Sequence, residues 1–386
     1  MQVTDYKVLG RLPDPFTFKN GEKVKNTADW RARRAELYED VITLQYGHQP
    51  PQPDFVRVQR TCKQALVPNA IVAYRITTGR LAHPVVYTMY VFLPADYERE
   101  KKYPVVLDGD GVYAVTNDMT NIRLFTDNGI IFARFDRTQL ADDTASQQPW
   151  CDGRTGPLYE CYPEYDFGAL GAWAWGYSRA IDALAQMDYV DMSCIAVTGH
   201  SRGGKTAMLA GALDERIAIV NPVQTCAGSG SCYRVHMKGI PAGEEKELPS
   251  ETLSDIWKNL GFWFGPRMGD YVRCEEELPF DCHMMKAMIA PRTLLMSEAA
   301  DDIWGNPLGS YQTSIAAREV WKLHGCPENI LWYWKPGGHS HTLEDLTMLF
   351  SVIQNKRFGT PLHENMGRLL FDAPAPIWDW KCPETE

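Results

Sequence analysis

The stretch IAVTGHSRGGKTAMLAGAL, residues 195–213, decides the fold. A short apolar run with β-branched residues leads into Gly199-His200-Ser201-Arg202-Gly203, and a run of small residues at helical spacing follows. G-x-S-x-G between a strand and a helix marks a sharp turn that lifts a serine hydroxyl above the carboxyl edge of a sheet. The flanking glycines let backbone and helix approach without a Cβ clash. The helix start then offers free N–H groups and the positive end of its dipole to a developing oxyanion. Ser201 is therefore the candidate nucleophile, and the N–H of Arg202 the expected oxyanion donor. The competing reading is a serine that only caps an ordinary helix. The strand before it, and acid and histidine candidates later in that order, weigh against the cap.

Working outward, YPVVLDGDG (103–111), GIIFARFDR (129–137), RIAIVNPV (216–223), RTLLMSEA (292–299) and ILWYWKPG (330–337) are short apolar β runs. Helical segments alternate with them, including AWAWGYSRAIDALAQ (172–186) and an expected crossover helix over Val115 to Phe125. Such alternation predicts an α/β-hydrolase fold: a mostly parallel sheet with helices on both faces, a three-layer sandwich. Between residues 71 and 94, IVAYRITTG and VVYTMYVFLP read as an antiparallel edge hairpin. Residues 1–60 are Pro-rich and polar around a helix-like stretch near Ala28 to Leu44. They read as an N-terminal helical lead-in packed on a catalytic domain of residues 61–386. Residues 227–280 break the alternation and read as an insertion or lid.

The base belongs after the last strand, where Gly337-Gly338 precedes His339 and His341. Imidazole can accept and return a proton near neutral pH. His339 is preferred because it follows the glycine pair directly; His341 is the alternative. His200, beside the nucleophile, reads as a wall or packing residue, and His283 as structural. The acid that orients and charges-balances the imidazole belongs after the preceding strand, where Asp301 is the first choice and Asp302 the alternative. An Asp-Asp pair in a loop is otherwise a solvated turn or helix cap.

A net charge of −10 with no Lys/Arg run argues against nucleic-acid binding. No stretch of 18 apolar residues marks a membrane span. The start, MQVTDYKVLG, lacks the features of a signal peptide, so the protein is cytoplasmic, or secreted or periplasmic if a leader has been removed. Ten scattered cysteines without a CxxC pair argue against zinc-ribbon or redox chemistry and predict buried thiols. A Cys151–Cys161 disulfide stays open for an exported chain, and oligomeric state is not legible.

Several segments together resemble the glucuronoyl esterases, carbohydrate esterases that cleave esters of 4-O-methyl-glucuronic acid on xylan with lignin alcohols. They are residues 12–37, 132–143, 168–184, 198–219, 277–311 and the GGHSHT loop at 337–342. Ser201-Arg202 with Lys205 is similar to the family's G-x-S-R-x-G-K. The resemblance implies that Ser201 is the nucleophile, that Arg202 helps hold the oxyanion and that Lys205 binds a sugar hydroxyl. Without it, Lys205 reads as a solvated helix lysine. It also implies an aromatic contribution to the sugar site, for which Trp304 is the best candidate; Trp173 and Trp175 read as core. Two departures stand out. His200 replaces a cysteine found in many members, and Gln224 stands where many carry an acidic Glu. Gln224 is then left as a substrate-binding candidate, and the acid falls to Asp301 or Asp302. The implied chemistry is two-step acyl transfer to water without metal or organic cofactor, on a small-molecule or polysaccharide ester. The alternatives are an acetyl xylan esterase or other sugar deacetylase, and a non-catalytic carbohydrate-binding protein of the same fold.

Overall fold

The computed structural model describes residues 1–65, 70–111, 115–144 and 153–384. Its strands are β1 (Gln2–Val8), β2 (Phe55–Ala65), β3 (Ala70–Gly79), β4 (Pro84–Phe92), β5 (Tyr103–Asp108), β6 (Ile131–Phe135), β7 (Val190–His200), β8 (Ile217–Val223), β9 (Val235–Ile240), β10 (Leu248–Pro249), β11 (Thr293–Ala299) and β12 (Ile330–Lys335). Among the described residues, a nine-stranded sheet runs β12-β11-β8-β7-β5-β6-β4-β3-β2. Strands from β12 to β6 are parallel, and β4, β3 and β2 add an antiparallel edge. This is the α/β-hydrolase architecture. Every residue of β5 and β11 is buried, because helices cover both faces. The helix Ala169–Leu184 is one cover, and its Trp173 and Trp175 are core residues whose indole N–H groups donate to the carbonyls of Ala141 and Pro51.

The expected crossover appears as a 3₁₀ turn at Val115–Asn117 and a helix at Met119–Thr126. The helix-like stretch near Ala28–Leu44 forms Thr27–Leu37 and continues as wider turns to Thr43. Two strands were not expected in the first 65 residues. β1 pairs antiparallel with β9, so the chain start is stitched to the segment 227–280. Nearly all of β1 faces solvent, which hides it from a reading based on alternation. β2 is an edge strand whose exposed Arg57, Gln59, Arg60 and Lys63 read as loop. Among the described residues, no helix is long and apolar enough to cross a membrane. Cys151 lies outside the described residues, and with it the Cys151–Cys161 pairing.

Candidate active site

Ser201 stands between β7 and the helix Arg202–Leu213 with φ 55° and ψ −114°. A serine that simply capped this helix would be extended and would accept a backbone N–H of the first turn; Ser201 is neither extended nor engaged in a side-chain cap. Its conformation is one that L residues hold only when the surroundings enforce it. The enforcement is visible. Ser201 N–H donates to Val223 O at the end of β8 (2.8 Å), and His200 N–H donates to Asp110 Oδ2 (2.8 Å). One hydroxyl, Tyr177 OH, accepts from Gly109 N–H and donates to Thr198 O, tying the ends of β5 and β7 beneath the turn. Asp110 requires a glycine at 203: a Cβ there would lie 1.8 Å from Asp110 Oδ2.

The histidine loop follows β12. His339 Nδ1 lies 2.7 Å from Asp302 Oδ2, and Asp302 is buried while the imidazole is partly open. This reverses the expected preference within the Asp pair. Asp301 turns away and accepts from the N–H groups of Ala242 (3.0 Å) and Gly337 (3.0 Å) and from the Met1 amino group (2.7 Å), interactions that hold its carboxyl below the usual range against the effect of burial. His341, the alternative, makes no such pair. Both of its ring nitrogens are buried without a hydrogen-bond partner, and burial pushes it down to about 3. It stacks on His200 at 5.5 Å instead.

Gln224 also departs from expectation. It is fully buried at the end of β8 and does not line the cavity in front of Ser201, so it is not placed to bind substrate. Its Oε1 accepts Ser340 N–H (2.7 Å), and its Nε2 donates to Gly338 O (3.0 Å). Those partners demand an acceptor and a donor from one side chain, which an amide provides and a carboxylate does not. The same Oε1 is 3.1 Å from His200 Nε2. Burial lowers His200 to about 3, so its neutral ring donates Nε2–H to that oxygen. The loop is also gripped by the buried Lys335, whose ammonium meets Ser340 O and the Asp345 carboxylate.

Ser201, Arg202, Lys205, Trp304 and His339 line one cavity of about 470 Å³. Lys205 is buried and donates to Thr225 O, so it is not the solvated lysine of the sequence reading. Trp304 is 42% exposed at the rim. The segment 227–280 adds residues of the helix Leu253–Leu260, Trp263 and Glu251 to the same lining. Burial raises the Glu251 carboxyl, with the charge of Lys205 opposing. Glu251 Oε2 accepts Ala227 N–H, and its backbone N–H donates to Trp304 O.

Sequence reasoning missed Glu251 and a charged network behind Arg202. Asp143 Oδ2 is 3.1 Å from both Arg202 and Arg137, and its Oδ1 accepts the Trp263 indole N–H (3.2 Å). Arg137 in turn donates to Asp110 Oδ1, beneath the serine turn. The Arg202 guanidinium lies 5.0 Å over the Trp263 ring. Asp143 falls within 132–143, a segment that carried the resemblance, but no spacing rule links it to residue 202.

A strained serine at a strand–helix turn, with a carboxylate-paired imidazole in the same cavity, defines a serine carboxylic-ester hydrolase of the α/β-hydrolase class. Residues 82–325 match the family model "Glucuronyl esterase, fungi". A 4-O-methyl-glucuronoyl methylesterase of Podospora anserina is 31% identical over 339 residues, covering 86% of this chain and 64% of that protein. A family 15 carbohydrate esterase, the glucuronoyl esterase of Caldicellulosiruptor kristjansonii, superposes with a TM-score of 0.80 at 28% identity over 97% of this chain and 98% of that one. The glucuronoyl esterase catalytic domain of Hypocrea jecorina gives 0.78 at 25% identity, with 99% of each chain covered. The chain belongs to the glucuronoyl esterase family.

Proposed function

We propose that this protein hydrolyses esters of glucuronic or 4-O-methyl-glucuronic acid through an acyl-enzyme on Ser201, with His339 as base and Asp302 as acid. The observation that carries the reading is the 2.7 Å His339–Asp302 contact in the cavity lined by Ser201. Asp302 accepts the hydrogen bond of the Nδ1–H, which leaves the Nε2 lone pair to accept the Ser201 proton. The serine oxygen bonds to the uronate carbonyl carbon, and negative charge grows on the carbonyl oxygen. Free N–H groups at the start of the helix Arg202–Leu213 and the Arg202 guanidinium meet that charge. The imidazolium returns its proton to the departing alcohol. Water, deprotonated by the same imidazole, then releases the free acid and restores the hydroxyl.

Lys205, Glu251 and Trp304 give the sugar its frame. An ammonium and a carboxylate of opposite polarity suit neighbouring hydroxyls, and an open indole suits the C–H face of the ring. The substrate class matches what the Podospora anserina relative is named for, 4-O-methyl-glucuronoyl esters.

Rates on methyl glucuronate and 4-nitrophenyl acetate test the reading. Ser201→Ala should cost on the order of 10⁴-fold or more on both. Lys205→Ala should lower kcat/KM on the uronate ester on the order of tenfold or more, while acetate hydrolysis holds. Equal losses on both esters would sink the sugar frame and favour a general deacetylase.

A further inference from the structure

Cys226 follows β8 in the left-handed region (φ 51°) and faces the acid–base pair. Its Sγ is 3.9 Å from His339 Nδ1, the same nitrogen that meets Asp302 Oδ2 at 2.7 Å. The sulfur, nitrogen and carboxylate oxygen all lie within 4.8 Å of one another, and Cys226 and Asp302 are buried. We infer that Cys226, Asp302 and His339 form a site for a thiophilic divalent cation, Zn²⁺ or Cd²⁺, whose binding shuts down the esterase.

The donor set is the argument. Thiolate, imidazole and carboxylate are each zinc ligands, and three protein ligands with an open fourth position is how zinc sits when it keeps a place for water. With Zn–S about 2.3 Å and Zn–N and Zn–O about 2.0–2.2 Å, tetrahedral geometry asks for S···N near ~3.5 Å and N···O near ~3.4 Å. The observed 3.9 and 2.7 Å straddle those values, so the first contact has to close by about 0.4 Å and the second to open by about 0.7 Å, a matter of side-chain rotation. The cation takes the lone pair of Nδ1, and the thiol proton leaves to solvent. The fourth position opens on the cavity that Cys226, Ser201 and His339 share, where a water completes the shell.

Inhibition follows from the tautomer and rests on His339 being the base. In the working state Nδ1 carries the proton and Nε2 the lone pair. Metal on Nδ1 moves the remaining proton to Nε2, which then has nothing with which to accept the Ser201 proton. Asp302, drawn onto the metal, no longer faces an N–H.

The test is a Cd²⁺ titration of the full chain, followed by the ultraviolet thiolate-to-cadmium charge-transfer band, beside Zn²⁺ inhibition of methyl glucuronate hydrolysis. The expected result is a band saturating at one equivalent, and loss of activity that EDTA reverses. Cys226→Ser should lose the band and weaken Zn²⁺ inhibition on the order of tenfold or more, each rate taken relative to the same variant without metal. Thermal unfolding in EDTA checks that the variant is folded, and Cys226→Ala repeats the measurement. A wild-type protein without the band, or a Cys226→Ser protein that keeps both band and inhibition, overturns the inference. His339→Ala assayed without metal reports on the base alone, so failure of the catalytic reading shows separately.

Discussion

Two strand ends at the carboxyl edge of the sheet reach the histidine loop, and they offer it different chemistry. The turn after β11 carries Asp302, which gives a carboxylate to the His339 ring. β8 is followed directly by Gln224, which gives an amide to the backbone on either side of that ring, at Gly338 and Ser340. In the proposed mechanism one holds the charge that catalysis creates; the other holds the peptide that carries the ring. The lesson is that the partner's polarity chooses the residue. A backbone carbonyl beside a backbone N–H calls for an amide, whereas an N–H that becomes imidazolium calls for a carboxylate.

That division can be broken experimentally. Asp302→Asn should lower kcat on methyl glucuronate by about 10³–10⁴-fold, since an amide can stabilise the wrong tautomer and no longer balances the imidazolium. Adding Gln224→Glu to that variant should restore nothing, because residue 224 faces His200 and the loop backbone. Recovery of even a tenth of the wild-type rate would show the two strand ends to be interchangeable. Gln224→Ala attacks the other half of the comparison. It takes the amide partner from the part-buried Gly338 carbonyl and Ser340 N–H, at about 0.5–1.5 kcal/mol each. Urea unfolding should register that loss, with kcat falling on the order of ten- to a hundredfold as the loop loosens. A stability loss with unchanged kcat would mean that the other contacts position His339 well enough.

The smallest effect sharpens the role of the neutral histidines. Burial holds His341 at about 3 in the folded protein against an ordinary 6.5. Between those values the unfolded chain binds a proton that the folded chain refuses, so stability is fully present above about 6.5 and falls as pH drops toward 3. His341→Gln should therefore flatten the fall of Tm with acidity, by the equivalent of on the order of 1–2 kcal/mol at pH 5. An unchanged slope would move the acid sensitivity to His200 and His283, which are lowered by burial in the same way.

Much of the centre was legible in the sequence because both of its layers are local. Buried parallel strands read as apolar runs, and the serine turn, its glycines and the histidine loop each lie within a few residues. What escaped is set by direction or by distance. Asp301 and Asp302 are neighbours of one type, and only the turn after β11 decides that one side chain faces His339 while the other meets Ala242 and Gly337. Gln224 looked like a lost acid because two of its partners are backbone atoms, at Gly338 and Ser340, which carry no residue code. Asp143, Trp263 and Arg202 meet only after three separate segments are folded together. β1 and β2 escaped because exposed edge strands lack the alternation that marks a half-buried one.

Asp110 carries a consequence for how this lineage can drift. Its carboxylate supports the His200 amide and Arg137, and it fills the space a side chain at position 203 would need. A library randomised at position 203 alone should return glycine. One randomised at 110 and 203 together should return pairs in which a larger residue at 203 appears only with a shorter one at 110, and such pairs give up the anchor of the nucleophile's turn.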